Sequence, residues 1–141
     1  MVEPLFLQGF SLFLSMHYIK RTYLLFVLLF IGVFTQAQKQ IKLEEATRNV
    51  GDSVSTCGKV YSSRYFEGSQ DAPTLLNLGA AYPNQLLTIV IYGEARKLFK
   101  EAPEVYFRDK NICVTGKISL YKDKPQIVIY KPEQIVESAN K

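Results

Sequence analysis

From Val54 to Tyr130 the chain alternates apolar and polar residues with a period of two, and one segment switches to the helical period. Val54, Thr56, Gly58 and Val60 share one face of a first run, and Ser55, Cys57, Lys59 and Tyr61 share the other. Thr74–Leu78 and Leu86–Tyr92 repeat the pattern, the latter with Leu87, Ile89 and Ile91 facing one way. Asn111–Leu120, carrying Ile112, Val114, Gly116 and Ile118, and Gln126–Tyr130 complete it. Such alternation is the mark of half-buried strands. Gly51-Asp52, Gly79, Tyr82-Pro83-Asn84 and Lys122-Asp123-Lys124-Pro125 punctuate the runs as turns, and Ser62–Pro73 reads as a loop. Ala95, Leu98 and Phe99 lie at i, i+3 and i+4, one face of a short helix. Ile41–Asn49 is a lead-in of open type, Glu101–Lys110 a connector and Pro132–Ile135 a closing helical turn.

Three strands, a helix and two strands within about 100 residues is the element order of the OB-fold, a five-stranded Greek-key barrel. The expected class is therefore all-β with one short helix. Closure removes most strand edges and demands bends. Gly58 and Gly116 sit inside long strands where a barrel bends, and their similar surroundings, Cys57-Gly58-Lys59-Val60 and Thr115-Gly116-Lys117-Ile118, answer one bending constraint. The helix plugs the barrel bottom through Leu98 and Phe99, with Arg96 at the far end from the expected binding face.

The barrel follows an N-terminal signal sequence. Lys20-Arg21 forms a basic head, Tyr23–Phe34 an apolar run, and Thr35-Gln36-Ala37 a small-residue exit before Gln38. The run falls short of the ~20 residues of a comfortable transmembrane helix. Residues 1–37 are thus read as a signal, with Met16 the better start and an uncleaved anchor the other reading, and 38–141 as the OB-fold domain. The product is expected in the periplasm or secreted, without stable membrane insertion.

The domain carries 15 Lys/Arg against 12 Asp/Glu, a mild excess that does not by itself specify nucleic acid. The one histidine of the chain, His17, lies in the signal. Without imidazole the domain lacks Ser-His-Asp and Cys-His catalysis and histidine-bearing zinc sites. Carboxylates such as Glu44/Glu45 and Glu101/Glu104 read as solvated faces and connectors. We therefore expect no enzyme, no cofactor and no metal.

Gly51-Asp52-Ser53-Val54, Cys57-Gly58-Lys59-Val60, Pro73–Gly79 and Tyr82-Pro83-Asn84-Gln85 form the first half of a further pattern. Ile112–Ile118, Tyr121-Lys122 and Pro125-Gln126-Ile127 form the second. Over residues 46–136 the chain resembles small exported bacterial OB-fold proteins, similar to the OB domains that accompany secreted staphylococcal-type nucleases. The resemblance implies the fold; OB barrels serve oligonucleotides, oligosaccharides and proteins alike.

Export places Cys57 and Cys113 in an oxidising compartment, where two cysteines tend to pair. They fall on the first and fourth strands, antiparallel neighbours in an OB barrel. Pairing them sets Gly58 opposite Ile112, core face to core face. Directly opposed residues lie about 4.5 or 5.5 Å apart, and the longer spacing matches the usual disulfide. Two free, half-buried thiols are the other state open to them.

An OB domain binds over the outer face of its second and third strands, between the first and last of its long loops. Outward parity there selects Leu75, Asn77, Thr88, Val90 and Tyr92. The loops add Arg64, Tyr65 and Phe66 on one side, and Tyr121, Lys122 and Lys124 on the other. Lys59, Tyr61 and Lys117 extend the patch. Rings for stacking with cations for phosphates are what single-stranded DNA or RNA requires. Capped strand ends and soluble lysines give the same residues a plain structural role, and an envelope protein or small ligand is the alternative partner.

Overall fold

The computed structural model describes residues 38–138. Residues 1–37, read from the sequence as a signal, lie outside them. Seven strands form in chain order: β1 (Lys39–Gln40), β2 (Ser53–Tyr65), β3 (Thr74–Leu78), β4 (Leu87–Ile91), β5 (Asn111–Tyr121), β6 (Lys124–Ile129) and β7 (Ile135–Glu137). Their order is β1-β2-β3-β4-β6-β5-β7, and β5 also pairs with β2. That extra pairing closes β2, β3, β4, β6 and β5 into a five-stranded barrel. Within it only β4 and β6 run parallel. This is the OB-fold.

The period-two alternation fills the interior. Val54, Val60, Leu76, Leu78, Leu87, Ile89, Ile91, Ile112, Val114, Ile118, Ile127 and Ile129 are fully buried. Gly116 is required where β5 bends over β6, because a Cβ there would lie 2.5 Å from Ile127 Cγ2. Adding a methyl to such a packed seam typically costs about 1–3 kcal/mol. Gly116→Ala should lower the urea midpoint without changing the m-value; an unchanged midpoint would contradict this packing.

Several expectations change. β2 does not stop at Tyr61: it continues to Tyr65 after a bulge between Val60 and Ser62. The extra residue reverses the parity. Ser63 and Tyr65 then face inward at the barrel end, where Ser63 Oγ donates to the Glu104 carbonyl at 2.6 Å. Residues 62–65, read as the start of a loop, are therefore strand, and residues 66–73 remain the loop. The connector Glu101–Lys110 contains a second helix. The bottom is closed by α1 (Gly93–Arg96) and α2 (Pro103–Tyr106) together.

Leu98 does not plug the barrel; it is 59% exposed. The α-helix ends after four residues, so the i, i+3 spacing from Ala95 no longer holds one face. Phe107 takes that place, buried and edge-on to Phe99 at 6.2 Å and to Tyr106 at 4.9 Å. Lastly, β7 adds to β5, with Val114 opposite Ile135.

The lead-in contains a 3₁₀ helix, Leu43–Asn49, whose Leu43 and Ala46 are buried, and β1 precedes it. The β5–β6 hairpin is tighter than a four-residue turn. Lys122 and Asp123 alone form it, both at positive φ (47° and 61°), the backbone of a type I′ turn. Among the described residues no helix is long and apolar enough to cross a membrane.

Cys57 and Cys113 are directly opposed and form a disulfide. Val60 N donates to Lys110 O and Ile118 N to Asp52 O, so even positions of β2 are the hydrogen-bonded ones. The cysteines occupy a non-hydrogen-bonded pair, the closer class. Their Cα atoms are 3.9 Å apart, below the longer spacing expected.

Candidate binding face

The strand registers lay out the outer face in rows. Ser62 lies opposite Asn77, Asn77 opposite Thr88 and Thr88 opposite Gln126, a polar row over β2, β3, β4 and β6. The next row is Arg64, Leu75, Val90 and Val128. Two residues further on, Tyr92 and Tyr130 leave the ends of the parallel pair β4 and β6, on the same face as Val90 and Val128. They are 39% and 69% exposed.

The central row is roofed. Asn77 and Thr88 are buried and serve a hydrogen-bond chain instead of an open platform. Gln85 Nε2 donates to Thr88 Oγ1, Thr88 Oγ1 to Asn77 Oδ1, and Asn77 Nδ2 to Ser62 Oγ, which also accepts from Tyr82 N. This chain pins the β3–β4 loop over the face. Val90 is also buried, and Leu75 is half-buried. Of the outward set chosen from the sequence, Tyr92 alone is freely exposed.

The remaining candidates fall into separate groups. Tyr121 lies opposite Lys124 and holds Lys122 5.4 Å over its ring, so this cationic, aromatic hairpin is assembled as expected. Lys117 shares the outer face of β5 with Ser119 and Tyr121. Arg64 is exposed and lies 4.7 Å over Phe66. Tyr65, expected beside them, faces the other way and stacks under Arg96 at 4.0 Å. Lys59, 5.2 Å over Tyr61, pairs opposite Asn111, whereas Lys117 pairs opposite Ser53. Six strand residues separate those positions, about 20 Å. Lys59 and Lys117 therefore do not extend one patch. Arg96 is not remote from Tyr92: both line one depression.

Tyr130, Val128 and Gln126 were missing from the sequence reading. Their parity within Gln126–Tyr130 was visible, but the binding face was confined to the second and third strands. The parallel register of β4 with β6 brings them in.

No protein-family model and no curated protein sequence matches this chain. Solved structures do resemble it. Yeast Stn1 and Ten1 align with a TM-score of 0.53 at 9% identity, over 77% of this chain and 66% of that one. The S. pombe Stn1–Ten1 complex gives 0.43 at 14% identity, over 62% and 59%. A putative aspartyl-tRNA synthetase from Leishmania major Friedlin gives 0.44 at 11%, over 77% and 23%. The first of these likenesses supports the barrel architecture.

On the outside of β5 and β7, Lys110 Nζ meets Glu137 Oε2 at 3.0 Å, and Tyr106 Oη donates to the same oxygen at 3.2 Å. Their mutual hydrogen bond raises the Lys110 pKa and lowers that of Glu137. This cluster ties the C-terminal strand to α2. Among the described residues no three His, Cys, Asp or Glu side chains converge to hold a metal.

Proposed function

We propose that the protein is an exported, non-enzymatic binding module that holds single-stranded nucleic acid across the ends of β4 and β6. One observation carries the reading: Ile91 lies opposite Ile129 in the parallel pair, so the exposed Tyr92 and Tyr130 follow at the same end of adjacent strands. Arg64 on β2 and Lys117 on β5 stand to either side of the adjoining row, and Lys122 and Lys124 continue the cationic path at the other end of β6, about 20 Å away. Exposed rings stack bases without regard to sequence, and such cations track the backbone. The roofed centre directs a strand toward the exposed tyrosines and the hairpin.

Tyr92→Ala and Tyr130→Ala should each weaken binding of a labelled oligothymidine by about 1–3 kcal/mol. Lys122→Ala should lower affinity modestly and reduce the salt slope by about one unit. Lys59→Ala, on the outer face of the β2–β5 ladder, should change neither. Fluorescence anisotropy reads all four. If both tyrosine variants bind like the parent, or Lys59→Ala is as damaging as Lys122→Ala, this face is not the site.

A further inference from the structure

A depression of about 600 Å³ opens where β4 ends, between loop 66–73 and α1. Tyr65, Asp71, Tyr92, Gly93, Arg96 and Lys97 contribute to its walls. Its cations are already matched. Arg96 Nη2 is 2.7 Å from Glu104 Oε1, and Lys97 Nζ is 2.6 Å from Glu94 Oε1. Asp71 has no ion-pair partner among the described residues. The loop is fixed in place. Asp71 and Ala72 hold positive φ (62° and 38°), and the Asp71 carbonyl accepts the Gly93 N–H at 2.8 Å. Residues held in such sparsely populated conformations cluster at ligand sites.

These features select a ligand chemistry. Asp71 and Glu94 in the lining of the depression balance Arg96 and Lys97, so it offers a phosphate no net positive charge. Its flat surfaces, a guanidinium stacked on Tyr65 and the ring of Tyr92, suit a planar ring. An unmatched carboxylate accepts two N–H groups side by side. Guanine presents that pair on its Watson–Crick edge, and uracil does not. We propose that the depression is a subsite for one unstacked base of the bound strand, with guanine preferred. It rests on the reading of the Tyr92–Tyr130 face, because Tyr92 belongs to both.

Free nucleosides test the subsite without phosphates. In ¹H–¹⁵N spectra, guanosine should shift the amides of Ala72, Gly93 and Arg96, with little dependence on salt. Uridine should bind at least about tenfold more weakly, the order of discrimination of one bidentate base contact. Asp71→Asn keeps the side-chain volume and tolerates positive φ, so the fold survives; it should reduce guanosine binding to the uridine level. Tyr92→Leu should weaken both nucleosides. Guanosine that leaves those amides unmoved, or moves them no more than uridine, overturns the proposal. An oligothymidine arm separates the two ideas. If it binds and guanosine does not, the subsite falls and the face stands. If guanosine binds and no oligonucleotide does, the face falls, and with it the subsite as part of a strand path.

Discussion

Replacing both cysteines, Cys57→Ser with Cys113→Ser, should destabilise the domain by roughly 4 kcal/mol, the chain-entropy value for a loop of this size. The bond spans a sequence separation of 56 and joins β2 to β5, the pairing that closes the barrel. In the reduced unfolded chain these strands must find each other across that whole separation. In the oxidised chain they never part. Cys57 is exposed, so serine adds no buried hydroxyl there, and the cost falls on the unfolded state rather than on packing. Urea unfolding of the parent with and without reductant should bracket the same difference. A midpoint that does not move on reduction would show that the bond adds nothing to barrel closure.

Phe107→Ala should cost about 3–5 kcal/mol, the range for emptying a buried aromatic site. Phe107 lies between Phe99 and Tyr106 at the barrel bottom and joins the segment bearing both helices to the core. Neither helix exceeds four residues. Helices so short are marginal in water without tertiary packing, so losing the ring should loosen both. Leu98→Ala is the informative contrast, because Leu98 is exposed and its loss should be within about 0.5 kcal/mol. Equal effects at the two positions would return Leu98 to the role the sequence assigned it.

That contrast marks where the sequence is readable. The strands were legible because burial in a barrel imposes a period of two, and the pairing of Cys57 with Cys113, expected from an oxidising compartment and the strand order of the fold, was consistent with that parity. Features that depend on a break in period were not. The bulge after Val60 moves Ser63 and Tyr65 to the inner side without altering composition. The turn after Arg96 removes Leu98 from the helical face. The candidate face was legible only in part, for a related reason. Parity says which way Asn77 and Thr88 point, yet not that Gln85 and Tyr82 come back to cover them. Tyr130 was lost because the parallel register of β4 and β6 is a property of topology rather than of either strand.

The central claim is that this barrel holds a single strand through stacking on Tyr92 and Tyr130 with backbone contacts from cations along the same face. Titration of oligothymidine across a salt series tests it most directly. Four cations, Arg64, Lys117, Lys122 and Lys124, predict a linear fall of log K with log salt, of slope about −3 for a single strand. Binding should persist at the highest salt through the stacking term, and a duplex of equal length, its bases already stacked, should bind more weakly. No binding at low salt, or equal binding of duplex and single strand, would contradict the account.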